Sequence, residues 1–210
     1  MSTQLIPLFP LSLVLLPGSP LPLHIFEERY KEMMADIIPV SGEFGVVLAR
    51  DNGIVNIGCT AAVERVVQRY PDGRLDLLTM GQRRFRVDSL ADEDKSYLCA
   101  EVEFFDDEDL TEISPELRKR AIDAFEQLSK LEKPGIALEP KFNSPRLSFQ
   151  LAQYMMDLEK RQIMLALRSE VDRLELLIRA VPEYVARQEQ TSIAKRVAPL
   201  NGHVRHVVTS

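Results

Sequence analysis

The sequence predicts an α+β protein in which a strand-rich first half, with one helix inserted, precedes a helical second half. Residues 44–105 contain short apolar runs rich in β-branched residues, separated by turn sequences such as Asp51-Asn52-Gly53. Residues 114–185 instead carry apolar side chains at helical spacing, behind two Ser-Pro start signals. We therefore expect a β module over residues 1–109, a helical subdomain over 110–190 and a C-terminal tail over 191–210.

The opening segment is apolar and interrupted by prolines. Pro7 and Pro10 lack a backbone N–H, so the run around them is typical of an edge strand or a bulge. A second apolar run, Leu13–Leu16, is predicted to be another short strand, and residues 17–20 are predicted to turn. A helix then begins near Glu27 and ends before Pro39, with one buried stripe that consists of Tyr30, Met33, Met34, Ile37 and Ile38.

The next strands are predicted from alternation and turn signals. The turn at Tyr70–Gly73 divides residues 61–80 into a hairpin. Arg83–Val87 alternates charged and apolar residues, as a half-buried strand does. We interpret its arginines as a solvated face, with Arg84 or Arg86 paired to a carboxylate inside the protein.

The acidic run at Asp106–Asp109 marks the boundary of the β module. We interpret it as a solvated linker, because it lacks the alternating spacing that places carboxylates around one cation. Helices are predicted after Ser114-Pro115 and Ser144-Pro145, over Leu158–Leu167, and after Ser169. Pro182 is predicted to kink or end the last of them.

Composition narrows the classes of function. The net charge of -6 over 210 residues argues against broad binding to nucleic acid, which depends on Lys and Arg. The two cysteines, Cys59 and Cys99, are too few for a disulfide framework. No basic start and no unbroken apolar stretch of about 20 residues precede Arg29, so we expect no export signal, no membrane span and a cytoplasmic location.

No metal or cofactor site is predicted. His203 and His206 stand three residues apart in the tail, but a catalytic zinc needs three protein ligands, and we interpret this segment as a surface tail. The sequence contains no Gly-Lys step of a P-loop and no G-x-S-x-G elbow.

Several motifs, taken in order, resemble the N-terminal domain of Lon protease. In the opening they are Leu8-Phe9-Pro10-Leu11, Leu16-Pro17-Gly18, Leu21-Pro22-Leu23, and Ile25-Phe26-Glu27 with Arg29-Tyr30. Farther on they are Ile57-Gly58-Cys59-Thr60-Ala61, the turn Asp72-Gly73-Arg74, and the strand Gly81–Val87. The resemblance extends over residues 4–187 and implies a PUA-like β-barrel or sandwich followed by a helical bundle.

The resemblance implies binding without catalysis. A full-length Lon protease carries an ATPase module and a Ser-Lys peptidase domain, and neither is expected in this sequence. In the family, the N-terminal domain helps to recognise unfolded or damaged chains and supports oligomer assembly. We therefore expect a module that binds exposed apolar polypeptide, or an adaptor to a protease or another partner protein, with oligomerisation left open.

Two surfaces are candidates for polypeptide binding: the edge of the opening strand, and the seam between the β module and the helices. The candidate residues, each of which also suits core packing, are Leu8, Phe9 and Leu11 at the edge and Met33, Met34, Met155 and Met156 at the seam.

Two other classes of function stay open. One is a small-molecule or enzymatic site in the β module, for which the candidates are His24, Glu27, Arg29 and Arg84. The other is RNA binding, because some PUA-like domains bind RNA, although the acidic balance counts against it.

Overall fold

The computed structural model describes residues 3–131 and 135–197, and within these ranges it confirms the α+β class. One six-stranded sheet consists of β1 (Gln4–Leu11), β2 (Pro20–Ile25), β3 (Glu43–Arg50), β4 (Gly53–Arg69), β5 (Leu75–Ala91) and β6 (Cys99–Phe104). The five α-helices of these ranges are α1 (Glu28–Ile37), α2 (Pro115–Leu131), α3 (Leu147–Leu151), α4 (Leu158–Ala166) and α5 (Glu170–Val197).

Backbone pairing closes five of the strands into a ring. β1 is parallel to β3 and antiparallel to β6, while β3, β4 and β5 follow one another as antiparallel neighbours. β5 also pairs with β6, which completes the ring, and β2 extends the sheet outward from the first half of β5. Phe85 fills a small apolar cluster with Leu8, Val47 and Val102. The closer likeness to PUA-like modules stays a prediction.

β1 lies between β3 and β6 in the order of the strands, which corrects the prediction of a strand at the edge of the sheet. Residues 4–7 pair with β6, and residues 8–11 pair with β3. Each half of β1 therefore has one strand partner, and Pro7 and Pro10 are tolerated because a missing N–H interrupts at most one ladder. Leu13–Leu16 is not a strand; it is an irregular segment held in place because three of its apolar side chains are buried.

The helices begin largely where their capping residues predict. Ser114 Oγ accepts a hydrogen bond from the Leu117 N–H at 3.1 Å, and Ser169 Oγ accepts one from the Asp172 N–H at 3.2 Å. α5 continues through Pro182 to Val197, so the proline does not end the helix. Leu177 and Val181, on the preceding turn, are buried, and this packing outweighs the lost backbone bond.

A single apolar core joins the first and second halves of the chain. It includes Phe44 of the sheet, Met33 of α1, Phe125 of α2 and Leu177 of α5. No helix among the described residues combines the length and the apolar character that crossing a bilayer requires. His203 and His206 lie outside the described residues.

Candidate functional site

A buried ionic cluster fixes the two halves of the chain against each other. Asp107 lies between the halves and receives both terminal nitrogens of Arg173, at 2.7 and 2.6 Å, and one nitrogen of Arg84 at 2.5 Å. Glu170 pairs with Arg173 at 2.8 Å and accepts hydrogen bonds from the backbone and hydroxyl of Ser148. Arg84 comes from β5, Ser148 from α3, and Arg173 and Glu170 from α5.

The cluster corrects the interpretation of the acidic run at Asp107 only, because the other three residues of the run are exposed, as a solvated segment predicts. Burial acts to raise the pKa of Asp107, but the hydrogen bonds and charges of Arg173 and Arg84 outweigh it and hold that pKa below its usual value. Arg84 is only 5% exposed, which confirms that one arginine of the Arg83–Val87 strand pairs inside the protein. Since its guanidinium is bound to Asp107 and to the carbonyl of Leu167, we assign it to the cluster.

A groove of about 630 Å³ lies along the seam between the halves, and we call it the seam groove. The β-module wall consists of Pro17, Gly18, Met80, Gly81 and Gln82. The opposite wall belongs to the connection after α2 and to the residues around α3, chiefly Leu138, Glu139, Lys141, Gln150 and Gln153. A smaller cavity of about 210 Å³, the side pocket, shares Gln153 with the groove. Its other lining includes Leu13, Ser19, Leu21, Ile136, Met156 and Arg161.

Backbone and amide contacts hold both walls of the seam groove. Gly18, in the left-handed region at φ +73, donates to the carbonyl of Gly81 at 2.8 Å, and the Gly81 N–H donates to the carbonyl of Ser19 at 2.9 Å. On the other wall, the Leu138 N–H donates to the Gln153 side chain at 3.2 Å, and the Lys141 N–H donates to the Gln150 side chain at 2.6 Å. The walls are thus built in advance of any ligand.

Two polar groups that line the side pocket have no hydrogen-bond partner in the part of the chain that the structure describes. Ser19 is 3% exposed and its Oγ is unpaired. The Nε of Arg161 is buried and unpaired, and its Nη1 lies 3.5 Å from the carbonyl of Met155. Burial lowers the pKa of Arg161 to about 10.

Of the seven residues predicted to contact polypeptide, Met156 is the one that lines a cavity at the seam, and its side chain is 54% exposed. Leu11 is partly buried in β1. The other five are covered by neighbouring side chains and contribute to the two apolar cores; they are Leu8, Phe9, Met33, Met34 and Met155. Sequence reasoning missed Ile136 and Leu138, which are exposed on the connection after α2. The sequence feature that could have identified them as exposed is that they are apolar residues in a segment without the spacing of a buried helix face.

The other nominated residues are held by separate partners. His24 Nδ1 lies 2.6 Å from Asp76 Oδ1, and this hydrogen bond is the main cause of the lowered pKa of Asp76. Arg29 pairs with Glu27 at 2.7 Å on the surface. No group of three or more His, Cys, Asp or Glu in the described ranges is arranged for a metal ion. Burial raises the pKa of the Cys59 thiol to about 12, so it is a poor nucleophile at neutral pH.

Comparisons with known proteins agree with this architecture. A family model described as the substrate-binding domain of ATP-dependent protease La (Lon) matches residues 5–182. A solved Lon N-terminal domain protein from Xanthomonas campestris is 28% identical, with a TM-score of 0.68 over 83% of this chain and 97% of that one. The N-terminal domain of a Mycobacterium avium complex Lon protease shares the fold at 18% identity, with a TM-score of 0.61 over 85% of this chain and 98% of that one. Since the family match spans most of the sequence, this chain belongs to the family of Lon substrate-binding domains.

Proposed function

We propose that this protein is a non-catalytic module that binds unfolded polypeptide in the seam groove. The observation that carries the proposal is the exposure of Ile136, Leu138 and Met156, three apolar side chains, along two cavities that share Gln153. Exposed apolar side chains at a concave site favour contact with apolar segments that a folded protein hides.

The seam groove combines apolar and polar side chains, and this combination suits an extended polypeptide. The amides of Gln82, Gln150 and Gln153 line the groove beside apolar groups. The oxygens of Gln150 and Gln153 accept from the wall, so their NH₂ groups are donors for a peptide carbonyl, and the Gln82 oxygen is an acceptor for a peptide N–H. Apolar contacts to Met156 tolerate varied side chains, because methionine is flexible and polarisable. Both features favour recognition of many sequences over recognition of one. We place this activity in the cytoplasm.

Binding to one model protein in two states tests the proposal. A disulfide-bonded protein is labelled and presented either folded or reduced and blocked, so that it stays unfolded, and fluorescence anisotropy is recorded at low and moderate salt. We expect selective binding of the unfolded form with an affinity that salt changes little, because apolar burial is not screened. Equal binding of both forms, or binding of neither, contradicts the proposal.

Substitutions of exposed apolar residues inside and outside the two cavities test where the polypeptide binds. Leu138→Ser removes an exposed apolar group of the seam groove, and Met156→Ser removes one of the side pocket. We expect the double variant to bind about thirtyfold more weakly, since burying each partly exposed apolar side chain contributes about 1 kcal/mol. Ile163→Ser is the control, because Ile163 is similarly exposed on α4 but outside both cavities. An equal loss in the Ile163 variant would place the contact elsewhere.

A further inference from the structure

We propose that the side pocket binds the C-terminal carboxylate of a polypeptide whose last residue is apolar. This inference rests on the proposed function, because the side pocket shares Gln153 with the seam groove in which the rest of the polypeptide lies. It adds a preference for chain ends to a site that otherwise accepts many sequences.

The first argument is the charge of Arg161. No carboxylate among the described residues pairs with its guanidinium, although Nε is buried. Arg161 is partly buried, and a cation withdrawn from water without a counter-charge is destabilised, so an anion from outside the chain would stabilise it. A carboxylate fits a guanidinium especially well, because its two oxygens match two parallel N–H donors.

The second argument is the position of the other unpaired group. Three side-chain atoms in the described ranges are buried without a hydrogen-bond partner: Ser19 Oγ, Arg161 Nε and Gln162 Oε1. Ser19 and Arg161 line the same cavity although they are far apart in sequence. Both atoms are hydrogen-bond donors, and a carboxylate is an acceptor only, so a carboxylate has the chemistry that both atoms require.

The third argument is the size and the lining of the cavity. Leu13, Leu21, Ile136 and Met156 provide apolar walls beside the two donors. At about 210 Å³ the cavity is smaller than the roughly 300–1,000 Å³ of small-molecule sites, which suits one amino-acid residue. A C-terminal residue carries its carboxylate and its side chain on the same Cα, so an apolar one presents both kinds of group within this small space.

Three versions of one short apolar peptide test the inference. The first ends in leucine with a free carboxylate, the second ends in leucine amide, and the third ends in aspartate amide, which offers a side-chain carboxylate instead. We expect the free acid to bind about tenfold more tightly than leucine amide, as a charge-assisted hydrogen bond to a buried group allows. We expect aspartate amide to bind no better than leucine amide, and acetate alone to compete weakly with the free acid.

Variants of Arg161 test whether the preference for a free carboxylate over an amide arises in the side pocket. Arg161→Met should abolish the difference between acid and amide and leave the binding of leucine amide unchanged, whereas Arg161→Lys should retain part of the preference. The Met variant is expected to keep the melting temperature of the wild type, because Arg161 is partly buried and has no carboxylate partner among the described residues; an unchanged melting temperature shows that the variant is folded.

The outcomes separate this inference from the proposed function. Equal binding of leucine acid and leucine amide to the wild type overturns the inference and leaves groove binding intact. Tight binding of aspartate amide overturns the assignment to chain ends, as does efficient competition by acetate alone. Failure of every peptide together with failure of the unfolded model protein overturns both proposals.

Discussion

Asp107 accepts hydrogen bonds from two arginines that come from different halves of the chain, and its loss would leave both cations without their shared partner. We expect Asp107→Asn to lower the free energy of unfolding by about 3–5 kcal/mol, as for other buried ion pairs that lose one member. Urea denaturation followed by far-ultraviolet circular dichroism measures the change.

The matched control is the neighbouring Asp106→Asn. Asp106 is exposed and pairs with Arg146 only at 3.5 Å, so its substitution should change the free energy of unfolding by less than about 0.5 kcal/mol. Similar losses in the two variants would show that net charge, and not the buried cluster, controls stability.

The lowered pKa of Asp107 also predicts how stability depends on pH. A carboxyl group with a lower pKa in the folded state stabilises the protein above its unfolded pKa of about 3.9, and this contribution is lost as pH falls through the folded-state value. We therefore expect wild-type stability to fall more steeply than that of Asp107→Asn below about pH 4. Parallel urea midpoints in the two proteins across this range would contradict the assignment.

At the scale of single residues the sequence predicted one member of the ionic cluster. Alternation along Arg83–Val87 predicted an arginine paired inside the protein, and Arg84 is that residue. The four residues of the acidic run have the same chemistry, so nothing local distinguishes Asp107 from Asp106. The distinction arises from the position of Arg173, which lies 66 residues farther along the chain.

Among the elements, β5 and the turn before β2 approach each other most closely at Gly81. A Cβ at Gly81 would lie 2.3 Å from the carbonyl oxygen of Leu16, and backbone atoms cannot move aside as a flexible side chain does. We expect Gly81→Ala to destabilise the protein by about 1–3 kcal/mol and to weaken binding in the seam groove, whose wall would shift. Thermal denaturation and the anisotropy assay measure the two effects.

Gly135→Ala is the control for this substitution. An added Cβ at Gly135, in the side pocket, meets no atom of the described residues within 4 Å. The two positions therefore differ in the room that they offer to a side chain. Stability should stay within about 0.5 kcal/mol of the wild type. A loss equal to that of Gly81→Ala would indicate an effect on the unfolded chain and not on the contact with Leu16.

Elements were predictable from the sequence where local chemistry decides them. Ser114 and Ser169 cap their helices through their own hydroxyl groups, and hydroxyl caps are visible in sequence. The position of β1 was not predictable, because it depends on a change of partner from β6 to β3 within one strand. The end of α5 was likewise not predictable. The helix continues through Pro182, because packing on the preceding turn outweighs the backbone hydrogen bond that the proline lacks.

For the molecule as a whole, one core shared by both halves predicts cooperative unfolding. Native-state hydrogen exchange should give the same free energy for Val46 in β3 and Leu177 in α5, because both residues belong to that core. In Asp107→Asn we expect the value for Leu177 to fall below the value for Val46. A lower value for Leu177 already in the wild type would mean that the halves unfold independently.

The seam groove itself could not be predicted in detail. Its walls bring together residues 17–18, 80–82 and 138–153, and nothing in the local sequence places these segments side by side. The seam was predicted as a binding surface, and of the residues predicted for it Met156 lines the side pocket, while binding there stays a prediction. The sequence does not distinguish Met156 from the three other methionines predicted at the seam. Burial assigns those three, Met33, Met34 and Met155, to the core.

The closure of the ring by β1 has a consequence for synthesis on the ribosome. Residues 4–7 pair with β6, whose strand ends at Phe104. β1 therefore lacks that partner until β6 has also left the exit tunnel, and Arg84 lacks Asp107 until slightly later. Until then the nascent chain exposes apolar strands of its own, which are segments of the kind that the proposed function would bind.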